Sequence, residues 1–351
     1  MKKNFFKYFI PIIILSMIGI VSIYCSKSMV TNYYDFLKKQ IIFVIIGVVL
    51  LFLFKNINIK YIEKYSFLFY IFTLFLLIYV LFFGRIINGS KSWINFFGFG
   101  IQPSEFAKIA ILLCLDKYIC NRYGFVKSLF IVLIPSILTF LQPDTGTVLF
   151  YLVIYFSIFI SMDLKKKYYI SLFSLVGVIV VSYFYLYFFQ SELFIDIFGT
   201  SFFYRTDRII NFMSSEGFQI NNALIGVGNG GLIGNGYNYV IYIPESITDF
   251  MFANILTMFG FIGGIVIVFL FLYLDILLIK DIYNLKKYKF FVIGLFGLFL
   301  YQQMQHMFMD VGLLPITGIT LPFVSYGGSS LISYFILFGI LFNIKKYQID
   351  T

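Results

Sequence analysis

The stretch IPESITDFMFANI, residues 243–255, places Glu245 and Asp249 four positions apart at the start of an apolar run. A helix N-terminus favours negative charge in its first turn, so capping of the next helix is one explanation for Asp249. Ser246 and Thr248 already offer oxygens for that cap. An additional carboxylate at the edge of an apolar segment is redundant for capping, and the chemistry it could perform there is proton abstraction as a general base.

A second polar stretch, QPSEFAK at 102–108, combines Glu105 and Lys108. Their i,i+3 spacing puts both side chains on one face of a helix, where they can neutralise each other. The two interpretations are a buried structural ion pair and direct contact with a substrate, and the spacing favours the ion pair.

Two further stretches carry charge near apolar runs. In QPDTGT, 142–147, Asp144 is either a turn and cap residue or part of a site. In YRTDRIINF, 204–212, Arg205 and Arg208 could grip a phosphate bidentately, or they could lie on an amphipathic helix that faces solvent or lipid headgroups.

The composition is that of a membrane protein, since 61% of the 351 residues are hydrophobic and only 12% are charged. A helix needs roughly 20 apolar residues to cross about 30 Å of hydrocarbon. A charged side chain in that region costs about 2.5–3.5 kcal/mol, so each charged stretch above calls for a function or a partner. We predict one all-α polytopic domain, residues 1–351, with about ten transmembrane helices near 8–25, 40–54, 66–84, 105–119, 126–142, 147–162, 168–190, 250–274, 290–310 and 331–344.

The distribution of the +10 net charge indicates membrane topology rather than nucleic-acid binding. Counting from a cytoplasmic N-terminus, 18 of the 26 Lys and Arg residues fall in the segments that would face the cytoplasm: 2–7, 55–64, 117–127, 165–167, 280–289 and 345–346. This positive-inside bias predicts that both termini are cytoplasmic.

The same topology places the longer connections outside, at 85–104, 143–146, 191–249 and 311–330. The segment of about 191–249 is predicted as one long extracytoplasmic loop between the seventh and eighth membrane helices. The inner connections are short and basic, so chemistry is expected on the outer side. ATP is scarce there, and a synthetic enzyme would need a substrate that arrives already activated.

Two other features are assigned no chemistry. GVGNGGLIGNG, 226–236, has G-x-G spacing, but no strand–turn–helix unit surrounds it and it lacks the Lys of a phosphate-binding loop. Its glycines would instead let an outer loop fold back and approach a neighbour closely. His306 is the single histidine, and a lone histidine near a helix end is more often a packing residue than a catalyst.

Five segments, taken in order, resemble the motifs of the SEDS family (shape, elongation, division and sporulation), which includes RodA and FtsW. They are NGSKSWINFFGFGIQPSEFAKI (88–109), QPDTGT (142–147), GFQINNALIGVGNGGLIGNG (217–236), IPESITDFMFA (243–253) and GLLPITGITLPFVSYGGSS (312–330). The resemblance covers nearly the whole chain.

The resemblance implies a peptidoglycan glycosyltransferase that polymerises lipid II at the outer face of the bacterial cytoplasmic membrane, together with a class B penicillin-binding protein. It places the proposed catalytic carboxylate on Asp249. Inversion of an α-linked donor into a β-linked product requires one base and no covalent intermediate. The candidate substrate-binding residues are Glu105, Lys108, Lys91, Trp93, Asp144, Arg208, Gln219, Glu245, Ser325 and Ser329.

The leaving pyrophosphate needs positive charge, for which Arg208, Lys108 and Lys91 are candidates. A divalent cation, Mg or Mn, is the alternative, although the sequence shows no dedicated metal cage. Membrane lipids are also expected to bind, and binding of nucleic acid is not expected.

The chain departs from the family pattern in two places. Leu256, Thr257 and Met258 stand where members usually carry a pair of acidic residues. His306 and Phe308 stand where many relatives have Asn and Gly. These changes bear on the surroundings of the site and on partner contacts, and they leave Asp249 in place.

Two alternatives remain. A lipid II flippase would use the same spans and polar cavity without a base, and a non-catalytic scaffold would use the motifs for packing alone. The short, plain inner loops favour the polymerase. The shared motifs do not separate elongation, division and sporulation.

Overall fold

The computed structural model describes residues 2–87, 90–96, 99–119, 124–210, 217–236 and 241–350. Ten helices in this part of the chain coincide with the ten predicted apolar runs, so the prediction of an all-α polytopic protein is confirmed. They are α1 (Lys2–Cys25), α2 (Tyr33–Asn56), α3 (Ile59–Phe83), α4 (Pro103–Tyr118), α5 (Gly124–Phe140), α6 (Thr145–Ile160), α7 (Lys166–Phe189), α11 (Met251–Asn284), α12 (Lys289–Asp310) and α13 (Gly328–Asp350).

Six of the described helices are individually long and apolar enough to cross a membrane: α1, α2, α3, α7, α11 and α13. Helices α5 and α6 are apolar but shorter. Helices α4 and α12 are more polar because α4 contains Glu105 and Lys108 and α12 contains Gln302, Gln303 and His306, all of them buried. A helix can carry such residues through a membrane when neighbouring helices shield and satisfy them.

Helices pack closely where small residues face large ones. The Phe335 ring of α13 fills the space above Gly47 of α2, where an added Cβ would lie 2.1 Å from the ring. At Gly339 of α13 the added Cβ would lie 2.7 Å from the Leu51 carbonyl oxygen of α2. Lipid provides no hydrophobic force between helices, and close packing of this kind is what holds a membrane bundle together.

One end of the bundle collects the predicted cytoplasmic charges. Asp281 of α11 accepts hydrogen bonds from Lys345 Nζ of α13 at 2.7 Å and from the Tyr8 hydroxyl of α1 at 2.6 Å. Glu63 of α3 accepts from the Tyr288 hydroxyl at 2.6 Å and lies 3.5 Å from Lys287 Nζ. Four helices (α1, α3, α11 and α13) and the connection between α11 and α12 therefore contribute to the basic end, as the charge pattern predicts.

The 85–101 connection forms a small antiparallel sheet, which the sequence analysis did not predict. Strands β1 (Arg85–Ile87), β2 (Ser90–Phe96) and β3 (Phe99–Ile101) lie in the order β1-β2-β3. Strands this short carry too little alternation to be recognised from sequence. The sheet lies at the end of the bundle opposite the basic cluster.

In its described residues, the predicted long loop of about 191–249 contains three helices: α8 (Ser191–Phe198), α9 (Thr200–Ile210) and α10 (Phe218–Gly230). A cluster of aromatic residues fastens α8 and α9 to the outer end of α7, with Phe194 packed between Tyr183 and Tyr187. Over the rest of its length α7 is open to its surroundings, and Leu172 and Tyr187 are its buried residues.

Helix α11 is broken at Gly260, where φ is 65° and ψ is −168°. A break leaves carbonyls and N–H groups without their intrahelical partners. The carbonyls of Thr257 and Met258 accept hydrogen bonds from the N–H groups of Asn235 and Gly236, at 3.0 and 2.9 Å.

On the other side of the break, the N–H groups of Phe261 and Ile262 donate to the carbonyls of Gly231 and Leu232, at 2.9 and 3.2 Å. We call residues 231–236 the glycine clasp. The break at Gly260 divides α11 into a short outer segment, which follows Asp249, and a long inner segment, and the clasp bonds to both. The glycine-rich segment therefore approaches a neighbouring backbone closely, as predicted for 226–236.

Candidate functional site

A tight turn, Pro244–Phe250, carries the two carboxylates of the opening stretch to the outer end of α11. Glu245 has a positive φ of 52°, and its carbonyl accepts from the N–H groups of Thr248 and Phe250, both at 3.1 Å. The Thr248 hydroxyl also donates to Glu245 Oε2 at 2.8 Å. Glu245 thus shapes the turn while its side chain stays exposed.

Asp249 lies at the end of this turn, two residues before α11 begins at Met251. Its side chain is half-buried, and no residue in the described part of the chain donates a hydrogen bond to it. A Cβ added at Gly318 would lie 3.5 Å from Asp249 Oδ2, so the 317–319 backbone lines one side of the carboxylate. Burial, and then repulsion from Glu245, raise the pKa of Asp249 from 3.8 to about 6.

The N-terminus of α11 is capped from another helix. Asp310 Oδ2, at the end of α12, accepts from the Ala253 N–H at 2.9 Å, and His306 Nε2 lies 3.4 Å from the Phe252 nitrogen. The expectation that Ser246 or Thr248 supplies this cap is wrong, because Thr248 donates to Glu245 and the N-cap residue of α11 has no side-chain cap bond. Asp249 nevertheless remains outside the capping arrangement.

Ser325 fastens the site turn to the 317–330 connection. Its hydroxyl accepts from the Leu321 N–H at 2.9 Å and donates to the Thr248 carbonyl at 2.8 Å. The Tyr326 N–H also donates to the Ile247 carbonyl at 2.8 Å. Ser325 is buried, and its hydroxyl both donates and accepts within the protein, so it holds the backbone next to Asp249.

Ser329 and Asp144 connect the sheet and α4 to the same end of the bundle. The Ser329 hydroxyl accepts from the Gln102 N–H at 2.9 Å, and the Gln102 side chain donates to Asp144 Oδ2 at 2.7 Å. Asp144 Oδ1 accepts from the Thr147 N–H at 3.3 Å, which caps α6. Burial raises the pKa of Asp144. The two Gln-Pro motifs therefore meet each other in space.

Lys91 and Trp93 both lie on β2. Lys91 Nζ donates to the Phe82 carbonyl at 2.9 Å, at the C-terminal end of α3, where a helix favours positive charge. Trp93 is half-buried, and its ring lies against Gly100 of β3. The Ser90 hydroxyl donates to the Pro143 carbonyl at 2.8 Å, which fixes the sheet to the Asp144 turn.

Glu105 and Lys108 form the buried ion pair that their spacing favours, with Lys108 Nζ 2.6 Å from Glu105 Oε2. The Ser333 hydroxyl of α13 lies 3.1 Å from the same oxygen. Lys108 Nζ is 4.6 Å from the Phe150 ring centroid of α6. The pair binds α4 to α6 and α13, and a buried pair with these neighbours is a structural element of the bundle.

Two further candidate substrate-binding residues belong to helices of the 191–249 segment. Gln219 is exposed in the first turn of α10. Arg208 belongs to α9, which ends at Ile210, so the helical interpretation of 204–212 agrees with the structure as far as residue 210. The Arg208 side chain lies outside the described residues.

An apolar groove of about 600 Å³ opens on the side of the bundle between α6 and α12. It reaches the outer end of α12 at Gln305 and Phe308, and then the connection at Leu314. Gln305 Nε2 donates to the Thr317 hydroxyl at 3.4 Å, next to the Gly318 backbone that lines Asp249. The groove thus runs from the side of the bundle toward the candidate site.

A metal site built from side chains alone is not evident. Among the residues that the structure describes, no group of three or more His, Cys, Asp or Glu side chains is placed to hold a metal ion. A divalent cation at this site would have to take ligands from its substrate as well as from the protein, as Mg²⁺ commonly does with phosphates.

The chain is similar to known proteins along its whole length. It is 33% identical to stage V sporulation protein E of Bacillus subtilis (strain 168), over 96% of this chain and 95% of that one. It is 32% identical to the probable peptidoglycan glycosyltransferase FtsW of Wigglesworthia glossinidia brevipalpis, over 97% and 94% of the two chains.

Its fold matches a chain of a peptidoglycan synthase complex that coordinates polymerisation and crosslinking. The TM-score is 0.78 and the identity 22%, over 97% of this chain and 98% of that one. The sequence profile of the FtsW, RodA and SpoVE proteins, described as "Cell cycle protein", matches residues 3–349. This chain is therefore a member of the FtsW/RodA/SpoVE family of polytopic membrane proteins.

Proposed function

We propose that the chain is a peptidoglycan glycosyltransferase that polymerises lipid II at the outer face of the bacterial cytoplasmic membrane, with Asp249 as its general base. The observation that carries this proposal is a half-buried carboxylate with no hydrogen-bond donor among the described residues, at the end of the bundle opposite the basic cluster. The names of relatives such as the probable peptidoglycan glycosyltransferase FtsW support the same activity.

The reaction is a single displacement at the anomeric carbon. The acceptor hydroxyl oxygen forms the new bond while the bond from that carbon to the pyrophosphate breaks, and the electron pair leaves with the pyrophosphate. The proton of the acceptor hydroxyl passes to the Asp249 carboxylate. Because the donor is already activated by its pyrophosphate, no ATP is required on the outer side.

The substrate class also fits the groove between α6 and α12. Lipid II carries a long apolar chain on a polar headgroup, and such a chain needs an apolar path that is open to the membrane. The groove residues Phe296, Leu300 and Phe308 offer that path, and its outer end lies next to the connection that lines Asp249.

Charge on the leaving pyrophosphate must be balanced. Lys108 is committed to Glu105, and Lys91 Nζ donates to the Phe82 carbonyl. We therefore assign this role to Arg208 on α9 or to a bound divalent cation, Mg or Mn, held partly by the pyrophosphate itself.

A class B penicillin-binding protein is the proposed partner, because a polymerised glycan must be cross-linked. The similarity of the fold to a chain of a synthase complex that couples polymerisation with crosslinking supports this pairing.

The test uses the purified chain together with a candidate class B penicillin-binding protein and lipid II, with Mg²⁺ present, and measures glycan length on a gel. We expect glycan strands that lengthen with time. A parallel assay with lipid II in one leaflet of liposomes measures transport. Transport without polymerisation would identify a flippase, and neither activity would indicate a scaffold; both results contradict the proposal.

A further inference from the structure

His306 of α12 is completely buried and contacts two separate backbone segments. Its Nδ1 lies 2.6 Å from the Ile319 carbonyl oxygen, and its Nε2 lies 3.4 Å from the Phe252 nitrogen and 3.3 Å from Asp310 Oδ2. A carbonyl oxygen only accepts hydrogen bonds, so Nδ1 carries a proton. The ring therefore joins the 317–319 connection to the first turn of α11.

These two segments are the ones that flank Asp249. Gly318, next to Ile319, lies against the Asp249 carboxylate and has a positive φ of 68°. Phe252 follows Asp249 by three residues. A single side chain thus contacts both the connection that lines the carboxylate and the helical turn that follows it.

The linkage holds in both protonation states of the ring. In neutral His306, Nε2 accepts from the Phe252 N–H. In the protonated ring, Nε2 donates to Asp310 Oδ2, which itself accepts from the Ala253 N–H of the same turn. The contact to Ile319 is unchanged between the two states, so the ring stays fixed whichever form is present.

We propose that His306, supported by Asp310, is a positioning residue that holds Asp249 at the distance from the substrate that proton transfer requires. This inference rests on the proposed glycosyltransferase function. His306 does not touch the reacting atoms, and its effect on the reaction passes through the Gly318 and Phe252 backbones. A catalytic group displaced by about 1 Å can lose about 10²-fold in rate.

Three substitutions separate the two contacts. His306→Asn keeps an amide near the position of Nδ1 and can still donate to Ile319. His306→Gln keeps an amide near the position of Nε2 and can still reach Phe252. His306→Ala loses both contacts. The matched control is Gln303→Ala, one turn earlier on α12, which removes a buried bond at 2.7 Å from Gln303 to Asp275 of α11 and leaves the Asp249 turn intact.

The measurement is the steady-state kinetics of lipid II polymerisation by each purified variant with its partner. We expect kcat to fall by about 10²-fold in His306→Ala, by less in the Asn and Gln variants, and KM to stay within about threefold. Gln303→Ala should lower thermal stability and keep the parent kcat. Where His306→Ala does not fold, the Asn and Gln variants give the answer.

The inference is overturned if His306→Asn and His306→Gln both keep the parent kcat, or if Gln303→Ala loses as much kcat as His306→Ala. Failure of the proposed function looks different, because the unsubstituted chain would then make no glycan at all.

Discussion

At the scale of single residues, the proposed general-base mechanism depends on the ionisation of Asp249. Burial and the neighbouring Glu245 raise its pKa from 3.8 to about 6, so the base loses its charge at a higher pH than an ordinary carboxylate. A general base must be ionised to accept a proton. We expect kcat/KM for lipid II to be constant above neutral pH and to fall about tenfold per pH unit below about pH 6.

Glu245→Gln is the matched variant for this pH profile. Gln keeps an oxygen that can accept from Thr248 but removes the charge that opposes ionisation of Asp249. The acidic limb of kcat/KM should move to lower pH in this variant. A profile with no acidic limb above pH 4, or one that Glu245→Gln shifts upward, would contradict the assignment.

Asp249 can be located from the sequence because an extra carboxylate at the edge of an apolar run has no local explanation. The capping role of Asp310 and the double contact of His306 cannot, since these residues lie more than 50 positions from Phe252 and only tertiary packing brings them there. Ser325 is a candidate because of its motif. Its hydrogen bonds to Leu321 and Thr248 connect two backbone segments, and no local sequence pattern indicates the bond to Thr248.

At the scale of elements, the broken helix α11 begins two residues after Asp249 and fixes the end of the turn that carries it. Gly260 has a φ of 65°, and a Cβ added there would lie 2.4 Å from the Leu232 carbonyl oxygen. Gly260→Ala must therefore strain the backbone and push the glycine clasp away. We expect this variant to lose about 2–4 kcal/mol of stability, measured by thermal unfolding in detergent, together with part of its polymerisation rate.

Gly177→Ala on α7 is the control, because its added Cβ meets nothing within 4 Å. This substitution sits in an ordinary helix and should be neutral or slightly stabilising. Equal stability of the two variants would show that the clasp does not hold α11.

The ten described helices that match apolar runs could be predicted from the sequence, because long apolar runs are typical of helices in a membrane protein. The break in α11 could not, since the apolar run continues through GFIGG, 260–264, and the backbone groups freed by the break bond to residues 22 or 30 positions earlier. The two glycine-rich stretches, 226–236 and 260–264, are visible in the sequence, but nothing in the sequence shows that they contact each other.

At the scale of the whole molecule, the bundle has two chemically different ends. At one end, Asp281 of α11 pairs with Lys345 of α13 and with the Tyr8 hydroxyl of α1, and Glu63 of α3 pairs with Lys287 of the α11–α12 connection. The other end holds Asp144, Asp249 and the sheet, joined by Gln102 and Ser329. The positive-inside rule assigns the first end to the cytoplasm, which puts the candidate base on the outer side, as the proposed function requires.

The loss of the base must be distinguished from loss of the fold. Because the folded-state pKa of Asp249 is raised, the ionised carboxylate disfavours the folded state as the pH rises through about 6. Asp249→Asn removes that charge and should be at least as stable as the parent at pH 8. A folded Asp249→Asn protein is therefore expected to be available for assay.

The rate of glycan synthesis from lipid II at pH 8, measured for Asp249→Asn and Glu245→Gln in complex with the transpeptidase partner, tests the role of Asp249 as general base. We expect Asp249→Asn to lose about 10²–10⁴-fold in kcat and Glu245→Gln to stay close to the parent. Elongation of glycan by Asp249→Asn at the parent rate would contradict that role.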